Sequence, residues 1–212
     1  MTELQIIGLP QSNYVWATRL FIAEKGVPHT MVPAEPHSPP VSEIHPLGKV
    51  PVMRHGDVSL GESRAICSYV DRCFDGPTLL SEDPVRAAQT EQWASILQTT
   101  IEPLLVRQYL FAYMFPKTDD GQPDRALIDQ LVPKLEEHFD LLEKAISNGE
   151  IGSDAFTLTD AYLIPILFYL QNAPESAKAL EQRPLLTEYL ARQLKRPSVQ
   201  ETMPPPLPGQ AA

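Results

Sequence analysis

Three short segments carry side chains whose types and spacing suit chemistry. The first is PQSNYVWATR, residues 10–19, where Ser12, Asn13 and Tyr14 sit between an apolar run and an amphipathic one. A strand ending before them and a helix starting with them would put Ser12 beside unpaired helix N–H groups and the positive end of the helix dipole, a place that favours an anion. There a hydroxyl can donate to a thiolate and so favour the nucleophilic form, or it can simply cap the helix. The second segment is LGKVPVM, residues 47–53, with a proline opening a strand after Gly48, Lys49 and Val50. A cis bond at Pro51 would turn the N–H and C=O of Val50 sideways toward a ligand, whereas the commoner trans form would simply start an edge strand. The third is GESRAI, residues 61–66. Ser63 at a helix N-terminus can hold a carboxylate with its hydroxyl and open N–H groups, and Glu62 can accept from an ammonium; the pair suits an α-amino acid head group, or equally a plain cap.

The elements that must position these groups are legible in the periodicity. ELQIIGL reads as a buried strand, YVWATRLFIAEKG as a helix ended by Gly26, and VPHTMV as a second strand. After the Pro-rich loop EPHSPP and a short turn VSEIH, VPVMRHGDVSL gives two brief strands around His55-Gly56-Asp57, and ESRAICSYVDRCF gives a helix. From Asp83 onward the pattern is helical: residues 84–115, 125–147, 157–173 and 185–196. The expected organisation is therefore an α/β domain over 1–78, an all-helical domain over 84–196, and an extended Pro-rich tail over 197–212, which holds five prolines and one charge, Glu201.

Composition narrows the function. Among 212 residues, 43% are hydrophobic and 21% charged, as in an ordinary globular chain. Seventeen Lys and Arg against twenty-seven Asp and Glu give a net charge of -10, and no more than two basic residues are adjacent, which disfavours nucleic acid as a partner. The acid is unevenly placed. Residues 1–80 carry six basic and eight acidic side chains, so the remainder carries eleven and nineteen, and four of the five histidines (His29, His37, His45, His55) lie in the near-neutral part. An anionic small molecule is better received there. No leader or membrane-spanning stretch is apparent, so a cytoplasmic protein without a membrane partner is expected. Cys67 and Cys73, six apart on one helix, should neither bridge nor form a metal site.

The order strand, Ser-bearing turn, helix, strand, GKVPV, hairpin and ESRAI resembles the thioredoxin-like N-terminal domain of cytosolic glutathione S-transferases, over roughly residues 3–195 with the helical remainder. TLTD, Thr157–Asp160, resembles the capping box before the buried helix of their C-terminal domain. The resemblance implies an α/β thioredoxin-like domain followed by an all-α domain, and glutathione as co-substrate with no metal. It implies the main chain of Val50 before Pro51 on the cysteinyl unit, Glu62 and Ser63 on the γ-glutamyl head, and Lys49 with His45 or His37 on the glycine carboxylate. Alignment with phi-like and zeta-like patterns gives the thiol-activating role to Ser12, assisted by Asn13; a theta-like spacing favours Asn13 itself, and Tyr14 falls where beta-type relatives carry a cysteine. The Ser-Ser-Cys of zeta-like isomerases is absent. The first βα turn has no cysteine, which disfavours enzyme-borne disulfide chemistry. A hydrophobic electrophile is expected near Arg107, Phe111 and Tyr113, among Tyr109 and Phe115, with Trp93 a packing residue. A homodimer is implied, with Tyr69 and Arg72 as interface candidates. The implied activity is glutathione transfer to an electrophilic small molecule, as in detoxification. The alternatives are a non-catalytic carrier or interaction module of the same fold, and a glutathione-dependent isomerase or dehalogenase.

Overall fold

The computed structural model describes residues 3–206. They divide into two compact units: the described residues of Met1–Glu82 with those of Lys195–Ala212, and Asp83–Leu194. In the first unit the order is β1 (Leu4–Gly8), α1 (Asn13–Glu24), β2 (His29–Pro33), α2 (Pro39–Ser42), β3 (Val52–His55), β4 (Val58–Gly61) and α3 (Ser63–Cys73). The sheet order is β2-β1-β3-β4, with β1 parallel to β2 and antiparallel to β3, and β3 antiparallel to β4. The near-continuous burial of β1 follows from its central position, with strands on both sides. Gly56, at φ 59°, turns the β3–β4 hairpin, and Gly26, at φ 76°, ends α1 with its N–H on Ala23.

The core of this unit gathers Leu4, Ile6, Val15, Ile22, Met53, Ile66 and Val70 between the sheet and helices α1 and α3. Beneath α3, Lys25 and Asp71 form an ion pair at 3.1 Å with side chains only 3% and 5% exposed. Asp71 also accepts from the N–H groups of Leu79 and Leu80, at 3.0 and 3.2 Å, and so ties down the segment that follows α3. Gly76 is required in that segment, since a Cβ there would lie 2.2 Å from the Lys25 carbonyl oxygen.

The stretch expected as an extended tail is in part a helix, α11 (Pro197–Thr202), packed on α1. Pro197 favours a helix start and Pro204–Pro206 follow its end, so the proline content that suggested an extended chain bounds one helical turn and a half. Arg196 clamps Glu24 at 2.6 and 2.9 Å, Arg19 donates to the Thr202 carbonyl at 3.2 Å, and the Trp16 indole N–H donates to the Thr202 hydroxyl at 3.1 Å. This cover explains why α1 is buried on more than one side.

The second unit contains α4 (Pro84–Ile96), α5 (Glu102–Leu104), α6 (Phe111–Met114), α7 (Arg125–Ser147), α8 (Leu158–Leu170), α9 (Pro174–Glu181) and α10 (Pro184–Gln193). The expected helix over 84–115 is interrupted by π-helical turns at Leu97–Ile101 and Leu105–Leu110, and α9 is an additional helix. Helix α8 is apolar nearly all round and correspondingly buried. At its start the Thr157 N–H and hydroxyl donate to Asp160 at 2.8 and 2.7 Å, and Tyr189 donates to the other Asp160 oxygen at 2.8 Å.

Candidate functional site

The register of the sheet brings the three segments to one end of it. Ile7 of β1 pairs with Val52 of β3, and Val52 pairs with Gly61 of β4. Ser12 follows the end of β1, Val50 precedes the start of β3, and Glu62 follows the end of β4. Three adjacent strands span about 10 Å, close to the length of an extended tripeptide. A Cβ on Gly8 would meet Val15 at 2.7 Å and Val50 at 3.0 Å, so the glycine lets the Val50 loop close on the β1–α1 turn.

Ser12 is the residue before α1, in extended conformation, and its side chain makes no capping hydrogen bond. The capping explanation for this serine therefore fails, and its half-buried hydroxyl at the start of α1 has no capping duty. No acidic residue in the first turn of α1 offsets the dipole. Asn13 is buried at 8% exposure as the first residue of the helix, and Tyr14 is half-buried. The Val50–Pro51 bond is cis. Val50 lies outside the β1–β3 ladder, which ends at Val52, so that ladder does not engage its backbone N–H and C=O.

Glu62 occupies the left-handed region at φ 66°, an uncommon conformation for a residue other than glycine. Its carboxylate does not cap α3; one oxygen, Oε1, lies 3.1 Å from Nε2 of His45, in a side chain 70% exposed. Ser63, 5% exposed, is the first residue of α3, whose opening turn also lacks acid. An acceptor thus stands next to an N-terminus rich in donors, as an α-amino acid head requires.

His45, expected on the glycine carboxylate, has contacts within the protein at both ring nitrogens. Its ring is 4% exposed, its Nδ1 accepts from the Leu47 N–H at 3.1 Å, and its Nε2 faces Glu62. The acceptor role fixes the neutral tautomer with hydrogen on Nε2, so both nitrogens are already committed. Two further basic groups of this loop, His37 and Lys49, are both exposed. They are neighbours, because the His37 N–H donates to the Gly48 carbonyl at 2.8 Å.

In the helical unit, Arg107 donates to the buried Glu102 at 2.9 Å and lies over the Phe111 ring at 5.2 Å, and Phe111 meets Phe115 edge to face at 5.0 Å. Tyr113 has another engagement. Its hydroxyl donates to Glu175 at 2.5 Å and accepts from Arg125 at 2.8 Å, while Tyr109 donates to the same Glu175 oxygen at 3.0 Å. Sequence reasoning missed Glu175 and Arg125, which stand 62 and 12 residues from Tyr113 and carry no local signal. Trp93 is buried. Cys67 and Cys73 are both free, and burial pushes the Cys67 thiol up to about 12, which leaves it un-ionised. Tyr69 donates or accepts at 2.9 Å with His55, and Arg72 is exposed. Among the described residues no group of three or more His, Cys, Asp and Glu converges as a metal site would need.

Comparison with known proteins gives a consistent result over both units. Residues 6–78 match the family described as glutathione S-transferase, N-terminal domain, and residues 125–192 match glutathione S-transferase, C-terminal domain. The chain is 31% identical over 171 residues to glutathione S-transferase F10 of Arabidopsis thaliana, covering 76% of this chain and 79% of that one. It is 26% identical over 207 residues to glutathione S-transferase PARB of Nicotiana tabacum, covering 92% and 94%. Glutathione S-transferase I from maize, solved in complex with an atrazine glutathione conjugate, superposes with a TM-score of 0.82 at 25% identity over 94% of this chain and 96% of that one.

Proposed function

The chain belongs to the glutathione S-transferase family, and from that premise we propose that Ser12 activates the thiol of glutathione for attack on an electrophilic small molecule. The observation that carries this reading is the Ile7–Val52–Gly61 register, which gathers the Ser12 turn, the Val50 backbone and the Glu62–Ser63 corner at one end of the sheet. Glutathione carries an ammonium and two carboxylates, and this edge supplies an acceptor in Glu62, donors at the start of α3, the ammonium of Lys49 and the imidazole of His37. The main chain of Val50 is assigned to the cysteinyl unit. That placement leaves the sulfur to the α1 N-terminus, where the Ser12 hydroxyl donates to it with Asn13 beside.

The thiol releases its proton to solvent, and the sulfur attacks the electrophilic carbon. A C–S bond forms and the leaving group departs with its electron pair, with no covalent intermediate on the protein. In the helical unit the Arg107–Phe111 face is assigned to the electrophile; the hydroxyl of Tyr113 is held by Glu175 and Arg125, so only its ring would contribute. The maize relative's bound conjugate supports an aromatic electrophile class. Homodimerisation through the α3 surface of Tyr69 and Arg72, a cytoplasmic location and a detoxifying role are assigned on family membership.

Calorimetric titration with glutathione, together with the ultraviolet thiolate band of the complex at neutral pH and turnover of an activated aryl halide, tests the reading. Binding, a thiolate band and conjugate formation are expected. Absence of binding at millimolar glutathione would refute it, and binding without band or turnover would move the protein to the carrier class.

A further inference from the structure

We infer that His45 is a positioning residue that aims the Glu62 carboxylate at the ammonium of glutathione, rather than a ligand of the glycine carboxylate; this rests on the assignment of Glu62 above. The ring is placed by its own loop. The His45 N–H donates to Val41 at 2.8 Å, the Gly48 N–H returns to the His45 carbonyl at 2.9 Å, and the Leu47 N–H fixes Nδ1 as an acceptor. The hydrogen on Nε2 then points at Oε1 of Glu62, 3.1 Å away.

Gly61 makes this approach possible. A Cβ at position 61 would stand 2.6 Å from Cδ2 of the imidazole, so any side chain on the residue before Glu62 would push the ring from its seat. The bond does two things for the site. It helps hold an exposed carboxylate on a residue whose backbone conformation is unfavourable for a non-glycine side chain, and a neutral donor does so without cancelling the negative charge that an ammonium needs. Only one carboxylate oxygen is used, and Oε2 remains for the ligand.

Two conservative variants separate the bonds of the ring. The amide of His45→Gln reaches about as far as Nε2 and keeps a donor for Glu62, while His45→Asn places its amide near Nδ1, keeping an acceptor for Leu47 and losing the donor to Glu62. Calorimetry on the full chain with glutathione and with its des-amino analogue gives the readout. His45→Asn should weaken glutathione about tenfold, a loss expected for a hydrogen bond to a charged group. It should leave the des-amino analogue unchanged, and His45→Gln should stay near the parent. Because both ligands are measured on the same folded protein, a stability loss cannot imitate this pattern. Equal weakening of both ligands, a larger loss in His45→Gln than in His45→Asn, or no loss in His45→Asn would overturn the inference while leaving the glutathione site standing. If the parent protein bound glutathione with no preference over the des-amino analogue, the role of Glu62 would itself be refuted, and the inference with it.

Discussion

Replacing Ser12 by alanine separates catalysis from capping more cleanly here than at most helix starts. An ordinary serine cap loses about 1 kcal/mol of stability on that change, because a bond to the helix backbone disappears. Ser12 makes no such bond, so Ser12→Ala should unfold within about 0.5 kcal/mol of the parent. Its cost should appear on the ligand. Free thiols ionise near 8.5, and a charge-assisted bond of about 1.5–3 kcal/mol plus about 0.3–1 kcal/mol from the α1 N-terminus would lower the bound glutathione thiol by roughly two units. Removing the hydroxyl leaves only the helix term, so the thiol should rise by about 1–2 units and the thiolate fraction at pH 7 should fall about tenfold. Titration of the ultraviolet thiolate band, alongside kcat/KM against pH for aryl halide conjugation, would read both effects. Lower stability with an unchanged thiol would show that Ser12 is a cap, and full turnover in Ser12→Ala with loss in Asn13→Ala would transfer the role to Asn13.

Other consequences are independent of the ligand. Asp71→Asn leaves Lys25 buried without its anion and should cost about 3 kcal/mol or more in chemical denaturation, with opening of the 76–80 segment in hydrogen exchange. Deleting residues from Lys195 onward removes the Arg196–Glu24 clamp and the cover on Trp16, so indole emission should shift to the red and the melting temperature should fall. Desolvation pushes the Glu175 carboxyl up, but hydrogen bonds from Tyr113, Arg125 and Tyr109 outweigh it and hold the group at about 2, below its ordinary 4.5. Its folded value is the lower one, so its contribution to stability is present above about 4.5 and is lost as pH falls toward about 2. Acid unfolding of Glu175→Gln should accordingly be shallower over that interval, and an unchanged profile would contradict the network.

The parts of this molecule that were legible in the sequence are those in which neighbouring residues decide the outcome. The α1 helix, its Gly26 stop, the hairpin at Gly56 and the TLTD corner each follow from periodicity or from a backbone that only certain residues tolerate. Elements set by distant partners were not legible. The residues of α11 contain too few apolar positions to predict a packed helix, and its place is decided by Trp16, Arg19 and Glu24, more than 170 residues away. The π-helical turns beside Glu102 likewise leave no trace in a pattern that remains helical throughout.

Within the candidate site the same rule separates what a local stretch of sequence can suggest from what only the fold brings together. Glu62 and Ser63 were suggested for an α-amino acid head because a helix N-terminus and its charge demands are local, and the two residues do stand at the start of α3. His45 was read as an anion ligand because a histidine near a lysine in a near-neutral stretch suggests one, whereas its contacts with Leu47 and Glu62 are set by the fold and leave no local signal. The positioning role inferred above rests on hydrogen-bond capacity: an imidazole has two nitrogens, and the loop takes one through Leu47 while the end of β4 takes the other through Glu62. On that inference the glycine end of glutathione falls to Lys49 and His37, and removing the Lys49 charge should weaken glutathione while sparing an analogue without that carboxylate, the mirror image of the effect expected at His45.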